Sequence, residues 1–200
     1  MTIRSCIFAI VAATAATVAC EGKSAQPSGP SALQSRDMTA NLAAASQSAA
    51  IGAAQHTVTM FDACDPDTFN AAIGPGTCSR SGGVRFESFV AELTKHHSAG
   101  AWHFAPSQVN MHVGQELVAN NRGGETHTFT EVEEFGGGIV ANLNQLAGVP
   151  NVAPECTQLK PGDFLAPGAR SSETEDESGV EKYQCCIHPW MRLTAHIREK

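Results

Sequence analysis

Two hundred residues, 42% of them hydrophobic, give room for one domain of ordinary size with some chain to spare. The formal charge of −7 at pH 7 excludes nucleic acid and anionic lipid surfaces as natural partners, since both are bound through basic patches. No stretch after the first twenty residues is apolar enough to cross a bilayer.

Residues 1–20 read as a targeting segment. Arg4 gives a positive start, and the apolar run from Ile7 to Ala19 is too short to span a membrane. The run ends in Thr17-Val18-Ala19-Cys20. A small residue before cysteine resembles a bacterial lipoprotein cleavage box, in which Cys20 is lipidated and becomes the new N-terminus. Thr17 stands where a leucine is usual, so plain cleavage near Ala19 stays open as the alternative. Either route makes the mature protein secreted or periplasmic, and the preferred one makes it a membrane-anchored lipoprotein. Arg4 is the only charge in this segment, so its removal takes −7 to −8. Setting aside Cys6 and Cys20 leaves Cys64, Cys78, Cys156, Cys185 and Cys186. An odd number in an oxidising compartment predicts pairs plus one thiol kept for another purpose.

Residues 21–55 are dominated by Ala, Ser, Gln, Gly and Pro, a composition that buries little and reads as a flexible linker. From residue 56 the text changes. Thr57 to Phe61 predicts a short strand. Asp65-Pro66-Asp67 offers a helix N-cap with proline at the first turn, and Gly74 can stop it. Cys64 and Cys78 bracket this unit, as a local disulfide would. Phe86, Phe89, Val90 and Leu93 form a helical apolar stripe that would pack on a sheet.

From Trp102 the period becomes two. Trp102 and Phe104, then Val109, Met111 and Val113, then Leu117 and Ala119 alternate with polar residues between turn signals. His127 to Val132 predicts another strand, ended by Gly136-Gly137-Gly138, and 139–147 contains a short helical piece. Phe164 and Leu165 restart strand character. A loop rich in acids (Glu173, Glu175, Asp176, Glu177) precedes the last strands, 180–187 and 191–198. Short strands at this spacing indicate an antiparallel sandwich or barrel.

The segment Tyr183-Gln184-Cys185-Cys186-Ile187-His188-Pro189-Trp190-Met191 carries the chemistry. Thiolate, imidazole and thioether in one tight loop are a soft donor set. Such donors favour copper over hard cations, and a weak axial methionine marks electron-transfer sites. Zinc uses cysteine and histidine but rarely recruits methionine. These positions resemble the cupredoxins, the blue-copper family of plastocyanin, azurin and amicyanin. In the amicyanin-like loop, cysteine, histidine and methionine are each three apart, with an aromatic two before the cysteine. Tyr183, Cys185, His188 and Met191 all match. The family's upstream histidine has its counterpart in His127, after the loop Asn120 to Thr126. The resemblance covers about residues 100–200 and leaves 21–100 unexplained.

It implies an all-β, cupredoxin-like Greek-key β-sandwich or barrel over 56–200, with short helices in an N-terminal extension, 56–100. It implies one type 1 copper held by His127, Cys185, His188 and Met191, and no enzymatic turnover. The family spacing selects Cys185 over Cys186 as the ligand. Cys186 would then pair with Cys156 if Cys64 joins Cys78, although four cysteines allow three pairings. Many family members carry asparagine after the upstream histidine, where this chain has Thr128. A hydroxyl can make a similar hydrogen bond with shorter reach. The family also implies that His188 shows a ring edge at the surface as the electron port. Pro189 and Trp190 would then form an apolar docking patch, against the bland reading of Trp190 as core.

The acids at 173–177 could steer a positively charged redox partner, but read more simply as a solvated loop. His96, His97, His103 and His112 read as surface histidines, the triple glycine as a turn, and Met111 as core. The expected function is a single-electron carrier whose partner is a redox protein, a cytochrome or an oxidoreductase. Copper storage or delivery through the same ligands is the alternative. A copper oxidase or nitrite reductase would need a further His-Cys-His motif, which is absent. The dinuclear copper domain uses cysteines separated by a gap, and Cys185 and Cys186 are adjacent.

Overall fold

A computed structural model describes residues 54–200; the expected targeting segment and the linker up to residue 53 lie outside the described residues. The strands arise where β-branched and aromatic residues alternate with polar ones. They are β1 (Gln55–Phe61), β2 (His103–Ala105), β3 (Gln108–His112), β4 (Glu116–Asn121), β5 (His127–Thr128), β6 (Thr130–Val132), β7 (Phe164–Leu165), β8 (Arg170–Thr174), β9 (Gly179–Gln184) and β10 (Arg192–Arg198). One sheet has the order β2-β1-β4-β8, the second β3-β10-β9-β6, and β5 pairs with β7 in a short ribbon. Consecutive strands such as β2 and β3, or β3 and β4, fall in different sheets. The chain thus passes back and forth between layers, and β1 and β3 lie parallel to β4 and β10. This is an all-β Greek-key sandwich, cupredoxin-like as expected.

Alternate residues of β1, β3, β4 and β10 face the space between the sheets: Val58 and Met60, Val109 and Met111, Leu117 and Ala119, and Leu193, Ala195 and Ile197 are all buried. That is the period-two consequence of pleating. Replacing Leu193 by alanine would cost about 2–5 kcal/mol through lost burial and the void left behind.

The extension adds two helices, α1 (Pro66–Ala72) and α2 (Phe86–His96). Asp65 caps α1 by accepting from Thr68 N at 3.0 Å, with Pro66 in the first turn, where a missing N–H costs nothing. The apolar stripe of α2 buries Phe89 and Leu93. Phe69, Phe89 and Trp102 form one aromatic cluster, with Phe89 4.5 Å from Trp102 between ring centroids. A disulfide joins Cys64 to Cys78 across this unit. A third helix, α3 (Ala141–Leu146), follows the glycine turn.

Several local readings need correction. The strand expected over 127–132 is broken at Phe129, because its halves pair with different partners, β5 with β7 and β6 with β9. The strand expected to reach 187 ends at Gln184, freeing Cys185 to Met191 to form a loop. Arg170–Thr174 is a strand although no apolar residue marks it, since it lies at a sheet edge and is largely exposed. Glu175, expected in a solvated loop, is buried and accepts from the Tyr183 hydroxyl at 3.0 Å.

Candidate metal centre

The loop after β9 is closed by its own backbone. Cys185 N donates to the Met191 carbonyl at 3.0 Å, and Met191 N to the His188 carbonyl at 2.9 Å. Cys185, His188 and Met191 are thereby gathered into the core end of the sandwich, all buried. β5 delivers His127 to the same place. Its Nδ1 lies 3.7 Å from Cys185 Sγ, and His188 Nδ1 lies 3.8 Å from the same sulfur. The three donor atoms fall within 4.8 Å of one another. Donor atoms this close can share one first-row metal ion, whose bonds to imidazole nitrogen and thiolate sulfur are about 2.0–2.3 Å. Copper therefore fits this donor set by size as well as by softness.

Cys185 is the single cysteine outside a disulfide among the described residues. Cys156 and Cys186 are joined, so adjacent cysteines serve different structures: Cys185 lies in the main core and Cys186 in a small separate cluster with Val132, Ala153 and Cys156. Both expected pairings thus occur. Thr128 braces the loop in its own way. Its backbone N–H donates to Cys185 Sγ at 3.4 Å, and its hydroxyl accepts from Cys186 N at 2.7 Å. His188 N also donates to Sγ, at 3.4 Å. Burial pushes the Cys185 thiol up, but the two imidazoles beside it outweigh burial and hold it well below the usual thiol range.

Sequence reasoning missed two carboxylates behind the imidazoles. Asp62, just past β1, places Oδ2 2.8 Å from His127 Nε2. Asp62 also accepts from Gly124 N at 2.9 Å and Glu125 N at 3.0 Å, which fastens β1 to the loop before His127. Burial alone would raise the Asp62 carboxyl; these hydrogen bonds prevail and hold it at about 2. Burial likewise works against a charged His127, yet its contacts with Asp62 and Cys185 raise it to about 9. Glu125 Oε2 accepts from Trp102 Nε1 at 2.6 Å and lies 3.6 Å from His188 Nε2. Each ring thus points Nδ1 at the thiol and Nε2 at a carboxylate, the arrangement by which a second layer of residues fixes a ligand's tautomer and orientation. Glu125 sits in the bend before β5, and nothing in the sequence marked it. Asp62, Cys64 and Glu125 also converge, but the Cys64 sulfur is spent in its disulfide.

The expected surface port is absent. His188 is 3% exposed. Trp190 is half-buried, against His188 at 5.5 Å and Phe89 of the extension at 6.0 Å between centroids. The helices of 56–100 cover the edge that the family resemblance left open. His96, His97 and His103 are exposed, and none joins a metal-ligand cluster among the described residues. Also among them, no helix is long and apolar enough to cross a membrane.

No family model matches the sequence, and no curated protein matches it at a significant level. Among solved structures the chain is similar to a novel purple cupredoxin from Nitrosopumilus maritimus, at 22% identity and a TM-score of 0.36, over 50% of this chain and 86% of that one. It is also similar to a mutant of amicyanin in its Cu(I) state, at 18% identity and a TM-score of 0.34, over 50% and 76% of the two chains. These likenesses concern the fold alone.

Proposed function

We propose that the protein binds one copper ion through His127, Cys185 and His188, with Met191 as a weak fourth ligand, and carries single electrons without turning over a substrate. One observation carries this reading: the one free thiol among the described residues is fully buried between two imidazole Nδ1 atoms, held by backbone N–H groups on both sides. Bound copper would supply the one-electron couple. The chain supplies the rest. Asp62 holds the proton on His127 Nε2, so Nδ1, facing Cys185, is the nitrogen that gives up its proton and would take the metal. The amides of Thr128 and His188 fix the sulfur and favour its thiolate form. Burial of the Cys185, His188, Met191 and His127 side chains keeps water from rearranging around them, so little needs to move when the charge changes.

Two disulfides suit an oxidising compartment, which supports a location outside the cytoplasm. The same clamps favour retention of the metal over delivery. Voltammetry of the copper-loaded protein is expected to give a reversible one-electron wave, with copper kept for hours against a weak chelator. Loss of copper within minutes would favour the delivery reading instead.

A further inference from the structure

Beside His188 the extension encloses a cavity of about 470 Å³. Its walls are mainly apolar, with three phenyl rings among aliphatic side chains: Phe69 of α1, Phe86, Phe89 and Val90 of α2, and Leu143 and Leu146 of α3. Ile73, 57% exposed, stands at its rim. Four polar side chains also line it, Thr77, Asn142, His188 and Glu125, and only the last two can carry charge. The volume lies in the range of small-molecule sites, which are mainly apolar with a few convergent polar groups. It is far too small for a protein surface.

The polar end is incomplete as it stands. His188 Nε2 and Glu125 Oε2 are 3.6 Å apart, too far for a direct hydrogen bond. With Nδ1 turned to the thiolate, Nε2 is the donor of the ring. Glu125 receives one hydrogen bond, from Trp102, and a carboxylate has room for more. A hydroxyl meets both needs, accepting from Nε2 and donating to the carboxylate. The Phe69, Phe86 and Phe89 rings favour a flat aromatic body behind that hydroxyl.

We propose that this cavity binds a small phenol, its ring among the three phenylalanines and its hydroxyl between His188 and Glu125. This rests on the copper reading only for its meaning: it makes the partner at this end of the centre a small molecule, where the family pattern would put a protein. The site is built by residues 56–100 and by α3, so the extension acquires a purpose other than packing.

Isothermal titration of the metal-free and the copper-loaded protein with phenol, and with benzene as the ring without a hydroxyl, tests this. Phenol is expected to bind at least tenfold more tightly than benzene. Glu125→Gln should weaken phenol about tenfold and leave benzene unchanged, a split that mere loosening of the fold would not produce. Leu143→Trp should fill the cavity and abolish both, with Val90→Phe as the substitute if that variant does not fold. Equal affinity for the two compounds, phenol binding that survives filling of the cavity, or no binding to folded protein (a cavity holding water only) would each overturn the proposal. Phenol binding to a protein that gives no colour with copper would sink the metal reading and leave this one standing.

Discussion

His127 Nε2 and Asp62 Oδ2 lie 2.8 Å apart with both side chains wholly shielded from water, joining residues 65 positions apart in the chain. Asp62→Asn keeps the size of the side chain and removes its charge. Copper affinity is expected to fall 10–100-fold, on the order seen when such outer partners of metal histidines are lost. The loss should be greater for Cu(II) than for Cu(I), because a nearby negative charge favours the more positive ion. The reduction potential should therefore rise, by about 60 mV for each tenfold preferential loss. Chelator competition and voltammetry read the two effects; an unchanged potential would show that Asp62 only fills space.

The same pair sets the pH response of the metal-free protein. His127 is raised from 6.5 to about 9 on folding, so its contribution is complete below pH 6.5 and disappears as pH rises through 9. Asp62 is depressed from 3.8 to about 2, so it contributes above pH 3.8 and loses that as pH falls through 2. The Asp62 shift corresponds to about 2 kcal/mol. Denaturant unfolding should show stability falling as pH drops below about 4, where Asp62 takes up its proton. Copper must displace the proton on His127 Nδ1, so binding at pH 7 should release about one proton from it and tighten as pH rises.

Glu175 behaves oppositely. Burial and the neighbouring Glu181 raise its carboxyl to about 8, so at neutral pH it is mostly protonated beside the Tyr183 hydroxyl. A carboxyl raised on folding weakens the fold as pH climbs from 4.5 through 8. Glu175→Gln should remove that decline, giving a higher Tm than the parent at pH 9 and little difference at pH 5. Identical pH profiles would contradict the assignment.

Replacing both Cys156 and Cys186 by serine opens a link spanning 30 positions. The expected cost is about 4 kcal/mol by loop entropy, a drop in Tm of about 8–16 °C. The copper site should survive, because Cys186 faces the small cluster and not the main core. A double variant that unfolds at the parental temperature would refute the clamp.

Much of the site could be read from the sequence because it is local. Cys185, His188 and Met191 sit on one loop, and only His127 had to be brought from elsewhere. Strands with clear alternation, such as the Val109-Met111 and Leu193-Ala195-Ile197 faces, were equally legible. β8 was not, since an exposed edge strand needs no apolar residue to form. Asp62 and Glu125 were invisible because nothing in one sequence reveals a contact across 65 or 63 positions. The stripe on α2 announced a buried face without saying what it would cover. It packs on Phe69 and Trp102 and walls the cavity that His188 also lines, which encloses the expected port.

Titration of the metal-free protein with Cu(II), followed by visible absorption, bears on the whole account. An intense thiolate-to-copper band should grow to one equivalent, vanish in Cys185→Ser, and persist in Cys186→Ser. A band that survives Cys185→Ser, or one lost only in Cys186→Ser, would contradict it.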